Sequence, residues 1–163
     1  MSTRLRKLSN TWLQELLKDK HFETCINLGC RTDEDQDGRF YSDYFKWNKM
    51  IKIDIEMFPG VDIVAPAEKL PIPDDSVNFI FCNWVFYYLT NLDRIKAISE
   101  MTRVLKHGGE VLISYWSLNE IDMQFMRDLI KKNFCILNSW KLDCEAVLDK
   151  RDGKAEIIYG AKK

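Results

Sequence analysis

The sequence predicts an α/β fold, a doubly wound and mostly parallel seven-stranded sheet that ends in an antiparallel C-terminal hairpin. Three observations lead to this prediction. Short apolar runs alternate with segments of helical periodicity over most of the chain, which is typical of a parallel sheet with crossover helices. The run 77–82 is almost wholly apolar, as expected of a central strand. Two strand-like segments then close the chain and predict a hairpin at one edge.

Length and composition indicate one globular domain spanning residues 1–163 and exclude several classes of protein. The chain has 163 residues, of which 46% are hydrophobic and 30% are charged. A net charge of −1 gives no strong nucleic-acid signal. The N-terminus lacks the apolar stretch of a signal peptide, and the longest apolar run, 79–89, is too short to span a membrane.

The cysteines indicate a cytoplasmic protein with reduced thiols. Their number is odd, and no two of them form a C-x-x-C pair. We therefore expect neither a disulfide framework nor a metal site. The five cysteines are Cys25, Cys30, Cys82, Cys135 and Cys144.

Local patterns predict the remaining elements. Apolar residues at helical spacing predict an amphipathic N-terminal helix within residues 1–21, packed on the sheet and ending at His21. Its apolar positions are Leu5, Leu8, Trp12, Leu16 and Leu17. Residues 31–48 show no convincing helical stripe and predict a long loop or a broken helix. Strands are predicted at 24–28, 50–55, 61–64, 77–82 and 111–115, with the hairpin at 134–142 and 155–161 around the polar turn 150–153.

Two crossover helices are predicted after the fourth and fifth strands. Asn91 and Asn119 are the expected N-caps, because an asparagine side chain accepts hydrogen bonds from the free amides of a first turn. The glycine turn at 107–109 is expected to end the first of these helices. Its predicted buried face is Leu92, Ile95, Ile98, Met101 and Leu105. The predicted buried face of the second is Ile121, Phe125, Leu129 and Ile130.

A candidate site begins at the stretch TCINLGCRTD, residues 24–33. Gly29 ends its apolar run, and a glycine there permits a sharp turn or the close approach of a ligand. Asp54 ends the second predicted strand. Ligands of open α/β sheets bind outside the carboxyl ends of the strands. Gly29 and Asp54 therefore mark the mouth of the expected site.

Four stretches resemble motifs of the class I S-adenosylmethionine-dependent methyltransferases. They are INLGC, IKIDIE, VDIVAPAEKLPIPDDSVNFIFCNWV and EMTRVLKHGGEVLISY, which fall between residues 26 and 115. The resemblance implies a Rossmann-like sheet, shortened relative to the family, and transfer of a methyl group to an unidentified acceptor. The chain looks most like the branch that acts on small molecules, lipids or sugars.

The resemblance also implies a binding site for S-adenosylmethionine. Gly29 would let the backbone approach the methionine part of the cofactor, and Asp54 would accept hydrogen bonds from the two ribose hydroxyls. Ile55 and Leu70 would sandwich the adenine ring. The full set of cofactor-binding candidates is Asn27, Gly29, Cys30, Arg31, Asp54, Ile55, Ala67, Glu68, Asn83 and Trp84.

The aromatic residues past the fourth strand are the other part of the implied site. Trp84, Tyr87 or Tyr88 would stabilise the cationic sulfonium through a ring face. Methyl transfer from an activated donor depends on positioning and needs no strong base. The weak candidates for a catalytic base are Tyr87 and Tyr115. His107 is expected at the opposite end of the sheet, where a catalytic role is not expected.

The chain departs from the family pattern at several of these positions. Arg31 and Asp33 stand where the family usually has glycines. Arg31 either fills the space that the cofactor needs or clamps the cofactor carboxylate. Pro66 replaces the acid that usually meets the adenine amino group, and Tyr87-Tyr88 replaces a common Glu-His pair.

These departures leave two functions open. The first is a methyltransferase; the second is a catalytically inactive binding module that kept the fold and acts through a protein partner. A dinucleotide-dependent oxidoreductase is disfavoured, because the acidic residues after Gly29 would repel a pyrophosphate. These residues are Asp33, Glu34, Asp35 and Asp37. Whether the pocket beside Gly29 and Asp54 is open distinguishes the first two.

Overall fold

The computed structural model describes residues 3–35, 37–117, 119–142 and 154–163, which form one seven-stranded sheet with three α-helices. The strands are β1 His21–Leu28, β2 Lys46–Asp54, β3 Ile63–Val64, β4 Val77–Asn83, β5 Leu105–Ser117, β6 Phe134–Leu142 and β7 Lys154–Lys162. The helices are α1 Thr3–Leu17, α2 Asn91–Val104 and α3 Glu120–Asn133. The predictions for the Leu5 side chain, for Cys144 and for the turn 150–153 concern residues outside those described.

The sheet has the strand order β3-β2-β1-β4-β5-β7-β6. Strands β1 to β5 pair in parallel with one another, while β7 is antiparallel to both β5 and β6. The prediction of a mostly parallel sheet with an antiparallel C-terminal hairpin is therefore confirmed. Leu28 lies opposite both Ile53 and Cys82, so the carboxyl ends of β1, β2 and β4 meet at one edge.

The two faces of the sheet carry separate hydrophobic clusters, because successive strand side chains point to opposite faces. Ile80 belongs to the cluster that packs against α2 and α3. Phe79 and Phe81, on either side of it, belong to the cluster that packs against α1. There Leu13 and Leu17 are fully buried. The ring of Phe79 is stacked on that of Phe22 from β1 at 4.2 Å.

The described residues of the connection from β1 to β2, 29–35 and 37–45, form no α-helix, in agreement with the predicted loop. It folds back through a single 3₁₀ turn, Tyr41–Tyr44, whose residue Tyr44 packs in the α1-side cluster. The predicted loop was too long at its C-terminal end, because β2 begins at Lys46 rather than near residue 50. The backbone amide of Lys46 donates to the carbonyl of Lys20, which starts the pairing of β1 with β2.

Three predicted boundaries were wrong. His21 begins β1 instead of ending α1, and its ring contacts Asn48 on the neighbouring strand. The N-cap of α2 is Thr90, one residue before Asn91, because the threonine hydroxyl accepts from the Asp93 amide. Strand β5 begins at Leu105 and contains the glycine turn as a bulge opposite β4. The Asn119 N-cap is confirmed, since its side chain accepts from the amide of Ile121.

The predicted buried faces of α2 and α3 were wrong at their first turns. Leu92 and Ile95 are exposed on α2, and Ile121 is 80% exposed on α3. On α2 the N-terminal turns instead bury Arg94, whose guanidinium donates to the carbonyl of Phe86 and pairs with Asp122. The residues that α2 buries are Arg94, Ala97, Ile98, Met101 and Val104, and those that α3 buries are Met123, Met126 and Ile130.

Candidate functional site

Three sequence-predicted residues meet at the carboxyl edge of the sheet. Gly29 follows β1, Asp54 ends β2 and Asn83 ends β4, and the strand register places them side by side. The backbone amide of Gly29 donates to the carbonyl of Ile53 at 2.8 Å, which joins the turn after β1 to the end of β2. The sheet thus brings Gly29 and Asp54 together as the sequence predicted.

The glycine at position 29 is required by the chain itself. Its φ is +70°, a left-handed conformation that favours glycine. A β-carbon at this position would lie 2.2 Å from Cγ2 of Val85. The side chain of Val85, in the connection after β4, therefore covers Gly29, where the cofactor was expected to approach.

The carboxylate of Asp54 is nearly buried, with 8% of the residue exposed. One oxygen accepts from the backbone amide of Arg31 at 2.8 Å, and the other accepts from that of Glu56 at 3.2 Å. A carboxylate has about four acceptor sites. Each oxygen of Asp54 therefore keeps capacity for one further donor.

The segments after β2 and β3 form the expected adenine side. Ile55, next to Asp54, is 67% exposed, whereas Ala67 is buried and Glu68 is half-buried. Leu70 is buried in the core, and its amide is held by the carboxylate of Glu100. Of the two residues predicted to sandwich a ring, only Ile55 presents an exposed side chain.

Arg31 contacts the segment that follows β2. Its backbone is left-handed, with φ of +48°, and its guanidinium lies over the ring of Phe58 at 5.6 Å from the ring centre. The side chain is exposed. The guanidinium is thus held against Phe58, and the two predicted roles of Arg31, filling the cofactor space or clamping the cofactor carboxylate, stay predictions.

Asp33 is the buried centre of the loop after β1. It is 2% exposed and accepts from the Asn27 amide at 2.6 Å, from the hydroxyl and backbone amide of Ser42, and from the Lys52 ammonium at 2.8 Å. Asn27, a predicted cofactor contact, is therefore committed to Asp33. Cys30 is also buried, and burial raises the pKa of its thiol to about 12 with a smaller effect of nearby carboxylates.

The end of β4 is tied to β5 through Ser114. The hydroxyl of Ser114 donates to the Asn83 side chain, and the backbone amide of Trp84 donates to the carbonyl and hydroxyl oxygens of Ser114. Trp84 has a φ of +63°, and its ring packs against the α1-side cluster. Its indole Nε1 is buried and has no hydrogen-bond partner within the part of the chain that the structure describes.

Tyr87 and Tyr88, which follow Trp84 in the sequence, are exposed at the same edge. Tyr87 stacks on Trp116, the last residue but one of β5, with ring centres 4.2 Å apart and ring planes at 14° to each other. Tyr88 meets Tyr87 edge to face at 5.2 Å and is 82% exposed. The resemblance pointed to Tyr87 and Tyr88, whereas Trp116 had not been singled out.

Of the two base candidates, the structure brings only Tyr87 to the exposed edge. Tyr115 is buried, and its hydroxyl donates to Glu156 at 2.7 Å. Burial and the adjacent Glu156 carboxylate raise the pKa of Tyr115. Arg127 completes this group by donating to Glu156 at 3.0 Å. Tyr115 is therefore part of a buried network that holds β5, β7 and α3 together.

A cavity of about 380 Å³ lies away from this edge, between α1 and the segment that leads into β2. Its lining residues are Gln14, Lys18, Arg39, Asp43, Tyr44, Phe45 and Lys46. These residues stand at the end of α1 and the start of β2, at the amino ends of the parallel strands. The cavity is therefore separate from the Gly29–Asp54 site.

Sequence reasoning missed Val85, Lys52 and Ser114. Each acts through a partner on another strand or connection, so no local signal identifies it. The stretch containing Val85 had been recognised as motif-like, but which residue covers Gly29 depends on the pairing of β1 with β4.

Comparisons with known proteins agree with this architecture. Residues 46–113 match the family described as methyltransferase domain. Over 60 residues the chain is 47% identical to malonyl-[acyl-carrier protein] O-methyltransferase of Methylococcus capsulatus, a match that covers 34% of this chain and 21% of that enzyme. The chain thus aligns with about a fifth of the length of this curated relative.

Two solved structures show the same fold. A Pyrococcus horikoshii OT3 protein, PH0226, superposes with a TM-score of 0.70 at 15% identity, over 94% of this chain and 87% of that one. The N-methyltransferase NodS of Bradyrhizobium japonicum WM9, in complex with S-adenosyl-L-homocysteine, superposes with a TM-score of 0.68 at 11% identity, over 98% of this chain and 86% of that one. Among the described residues, no helix is long and apolar enough to span a bilayer. Residues 46–113 thus match the methyltransferase-domain family, and the sheet around them has the Rossmann-like fold seen in methyltransferases such as NodS.

Proposed function

We propose that this protein is an S-adenosylmethionine-dependent methyltransferase acting on a small-molecule acceptor. The observation that carries the proposal is the position of Asp54. It ends β2 beside Gly29 within a sheet of methyltransferase order, and it lies inside the segment that matches the family. The 47% identity of 60 residues of the chain to an O-methyltransferase supports the reaction class.

The residues fit the adenosine half of the cofactor. Each oxygen of Asp54 accepts one backbone amide and has capacity left for one ribose hydroxyl. The exposed side chain of Ile55 provides an apolar surface for one face of the adenine ring. Ala67 and Glu68 lie on the connection that follows β3, the strand paired with β2.

The methionine half requires a change in the chain, because Val85 covers Gly29. We infer that Val85 moves when the cofactor binds. Its neighbour Trp84 has a left-handed backbone, and its buried indole N–H has no hydrogen-bond partner among the described residues. Each of these two features costs about 1 kcal/mol or more. The segment that begins at Trp84 is therefore held in a locally unfavourable conformation, which lowers the cost of displacing it.

The reaction places few demands on the protein. When bound, S-adenosylmethionine supplies a methyl group whose bond to sulfur breaks as the acceptor lone pair forms the new bond, leaving S-adenosylhomocysteine and releasing the acceptor proton to solvent. The chain's residues bind, orient and exclude water, which can lower the barrier by about 7–11 kcal/mol in well-oriented reactions. Tyr87 is the exposed hydroxyl nearest in sequence to the end of β4.

A second candidate function is a binding module without turnover. It is favoured by two of the observations above, the side chain of Val85 over Gly29 and the buried carboxylate of Asp33 in the turn after β1. In such a module the chain would fill its own cofactor site permanently and act through a protein partner.

Calorimetry with S-adenosylhomocysteine tests the proposal and separates the two functions. We expect saturable binding to the wild type, weakened about tenfold or more in Asp54→Asn, because hydrogen bonds to a charged acceptor contribute about 1.5–3 kcal/mol. Asp62→Asn is the matched control. Its carboxylate also accepts a backbone amide on β2, that of Lys52 at 2.8 Å, but it lies at β3 and is exposed.

Val85→Ala distinguishes a displaced side chain from a permanent plug. Tighter binding than in the wild type is expected if Val85 must move, because the smaller side chain lowers the cost of opening. Weaker binding would mean that Val85 contacts the ligand in place. Absence of binding at millimolar ligand by both the wild type and Val85→Ala would contradict the methyltransferase proposal and favour the module.

A further inference from the structure

Exposed apolar side chains from several elements lie at the carboxyl edge of the sheet. Tyr87 and Tyr88 come from the 3₁₀ turn after β4, Trp116 from β5, Leu92 from the first turn of α2 and Ile121 from the first turn of α3. Trp116 is half-buried, and the other four are exposed. We name these five residues the aromatic platform.

Contacts beneath the platform bring these elements together. The guanidinium of Arg94 on α2 donates to the backbone carbonyl of Phe86, next to Tyr87, at 2.9 Å. The same guanidinium pairs with Asp122 on α3, next to Ile121. Arg94 is itself buried. The first turns of both helices are thereby fixed against the tyrosine turn, which fixes the backbones that carry the five side chains relative to one another.

The rings at the centre of the platform are pre-arranged. Tyr87 and Trp116 are already stacked at 4.2 Å, and Tyr88 meets Tyr87 edge to face. Rings in such contacts have few orientations left to lose, so binding another ring against them costs little conformational entropy.

The charged groups beside the platform are paired with one another. Asp93, after Leu92, accepts from the Thr90 hydroxyl at 2.6 Å and lies 3.9 Å from the Lys96 ammonium. Glu120, before Ile121, pairs with Lys154. The platform therefore presents an apolar surface with locally balanced charge, which suits a neutral apolar ligand better than a phosphate or a sugar acid.

We propose that the methyl acceptor is a neutral molecule with an aromatic ring or an extended apolar portion, which packs on the aromatic platform. This inference rests on the proposed function and narrows its small-molecule acceptor to an apolar one. The argument for this occupant is position. The platform continues from the end of β4, directly beside the Gly29–Asp54 site. An acceptor held there lies at the edge where the methyl group is delivered.

The test is a fluorescence titration of the full chain with the neutral aromatic probe N-phenyl-1-naphthylamine. We expect saturable binding that Tyr87→Ala weakens about fivefold or more and that Tyr87→Phe retains, because the ring and not the hydroxyl makes the stack. Tyr88→Ala is a second variant at a side chain too exposed to affect folding. Leu137→Ser is the matched control, an exposed apolar residue on the edge strand β6.

The outcomes separate this inference from the proposed function. Probe affinity that is unchanged in both Tyr87→Ala and Tyr88→Ala, or reduced as much by Leu137→Ser, overturns the platform. Displacement of the probe by millimolar glucose 6-phosphate also overturns it, since a polar anion would then share the surface. Calorimetry with S-adenosylhomocysteine on the same proteins reports on the cofactor site alone. Its failure in the wild type overturns methyl transfer, whatever the probe does.

Discussion

Replacing Gly29 by alanine tests how the candidate site is closed. The structure gives two separate reasons why this change should destabilise the protein. The backbone at Gly29 has a φ of +70°, and the new β-carbon would lie 2.2 Å from Cγ2 of Val85. Valine has a stiff χ1, so its methyl group cannot easily rotate out of the way.

The two costs can be estimated separately. A residue with a β-carbon in the left-handed region costs about 1–2 kcal/mol. Forcing a methyl group into an occupied space costs about 1–3 kcal/mol more. We therefore expect Gly29→Ala to lower the free energy of unfolding by about 2–5 kcal/mol.

Gly108→Ala is a control matched in backbone conformation. Gly108 has a φ of +71°, almost the same as Gly29, but nothing lies within 4 Å of the position of its β-carbon. Its substitution should cost only the left-handed term, about 1–2 kcal/mol. Chemical denaturation of both variants in urea measures the difference, which is assigned to Val85.

A double-mutant cycle completes the test. In a Val85→Ala background, Gly29→Ala should cost no more than Gly108→Ala does, which gives a coupling of about 1–3 kcal/mol between the two sites. Equal costs for Gly29→Ala and Gly108→Ala in the wild-type background would refute the reasoning. The side chain of Val85 would then yield freely, and it would not restrict access to the site.

Three further predictions concern other parts of the chain. Trp84→Phe removes a buried N–H that has no hydrogen-bond partner among the described residues, whereas Trp47→Phe loses a hydrogen bond of about 1 kcal/mol from Nε1 to a carbonyl. Trp84→Phe should therefore lower the free energy of unfolding by less than Trp47→Phe does. Thermal melts that rank the two variants in reverse would contradict this. Cys135 is exposed, so iodoacetamide should label it near neutral pH before the buried Cys25, Cys30 and Cys82. Peptide mass spectrometry that finds one of these buried thiols labelled first would contradict the prediction. The hydrogen-bonded guanidinium of Arg103 lowers the pKa of Glu100 from 4.5, so the pair stabilises the fold fully above that pH and loses its effect as the pH falls through the lowered pKa. Glu100→Gln should therefore lower the free energy of unfolding at pH 7 and leave it almost unchanged in strong acid. Denaturation midpoints that Glu100→Gln shifts equally at both pH values would argue against this.

Much of the fold could be predicted because its signals are local. Apolar runs bounded by glycine, proline or polar turns located all seven strands, and the order of elements then favoured a parallel sheet closed by a hairpin. The Asn119 cap was predictable for the same reason, since it needs only the amides of its own helix. Boundaries failed where a neighbouring strand decides them, as at His21 and Lys46.

The helix faces show what periodicity alone misses. The apolar spacing of α2 favoured Leu92 and Ile95 as inward residues, yet both are exposed and Arg94 is buried between them. Burial of a guanidinium requires acceptors. Arg94 has these in the carbonyl of Phe86, the side-chain oxygen of Asn91 and the carboxylate of Asp122. Asp122 lies on α3, beyond β5, so the apolar spacing of α2 gives no sign of it.

The candidate site was predictable in its strand ends and not in its interior. Asp54 and Gly29 are adjacent as expected, because the ends of parallel strands meet at one edge. The position of Arg31 over Phe58 and the cover of Gly29 by Val85 depend on how two connections pack, which the sequence does not specify locally.

The turn after β1 explains how this chain dispenses with a glycine-rich loop. Such a loop, leading into a helix, presents backbone amides to an anionic ligand in many doubly wound folds. Here the described residues between β1 and β2 form no α-helix. The carboxylate of Asp33 accepts hydrogen bonds from Asn27 and Ser42, while the ammonium of Lys52 balances its charge. The Asp33 carboxylate thus occupies, in the loop after β1, the position where other doubly wound folds bind an anionic ligand. If the proposed cofactor binds here, its carboxylate would meet beside Gly29 a buried carboxylate that is already paired. Under the proposed function we therefore expect the affinity to come mainly from the adenosine half, at Asp54 and Ile55.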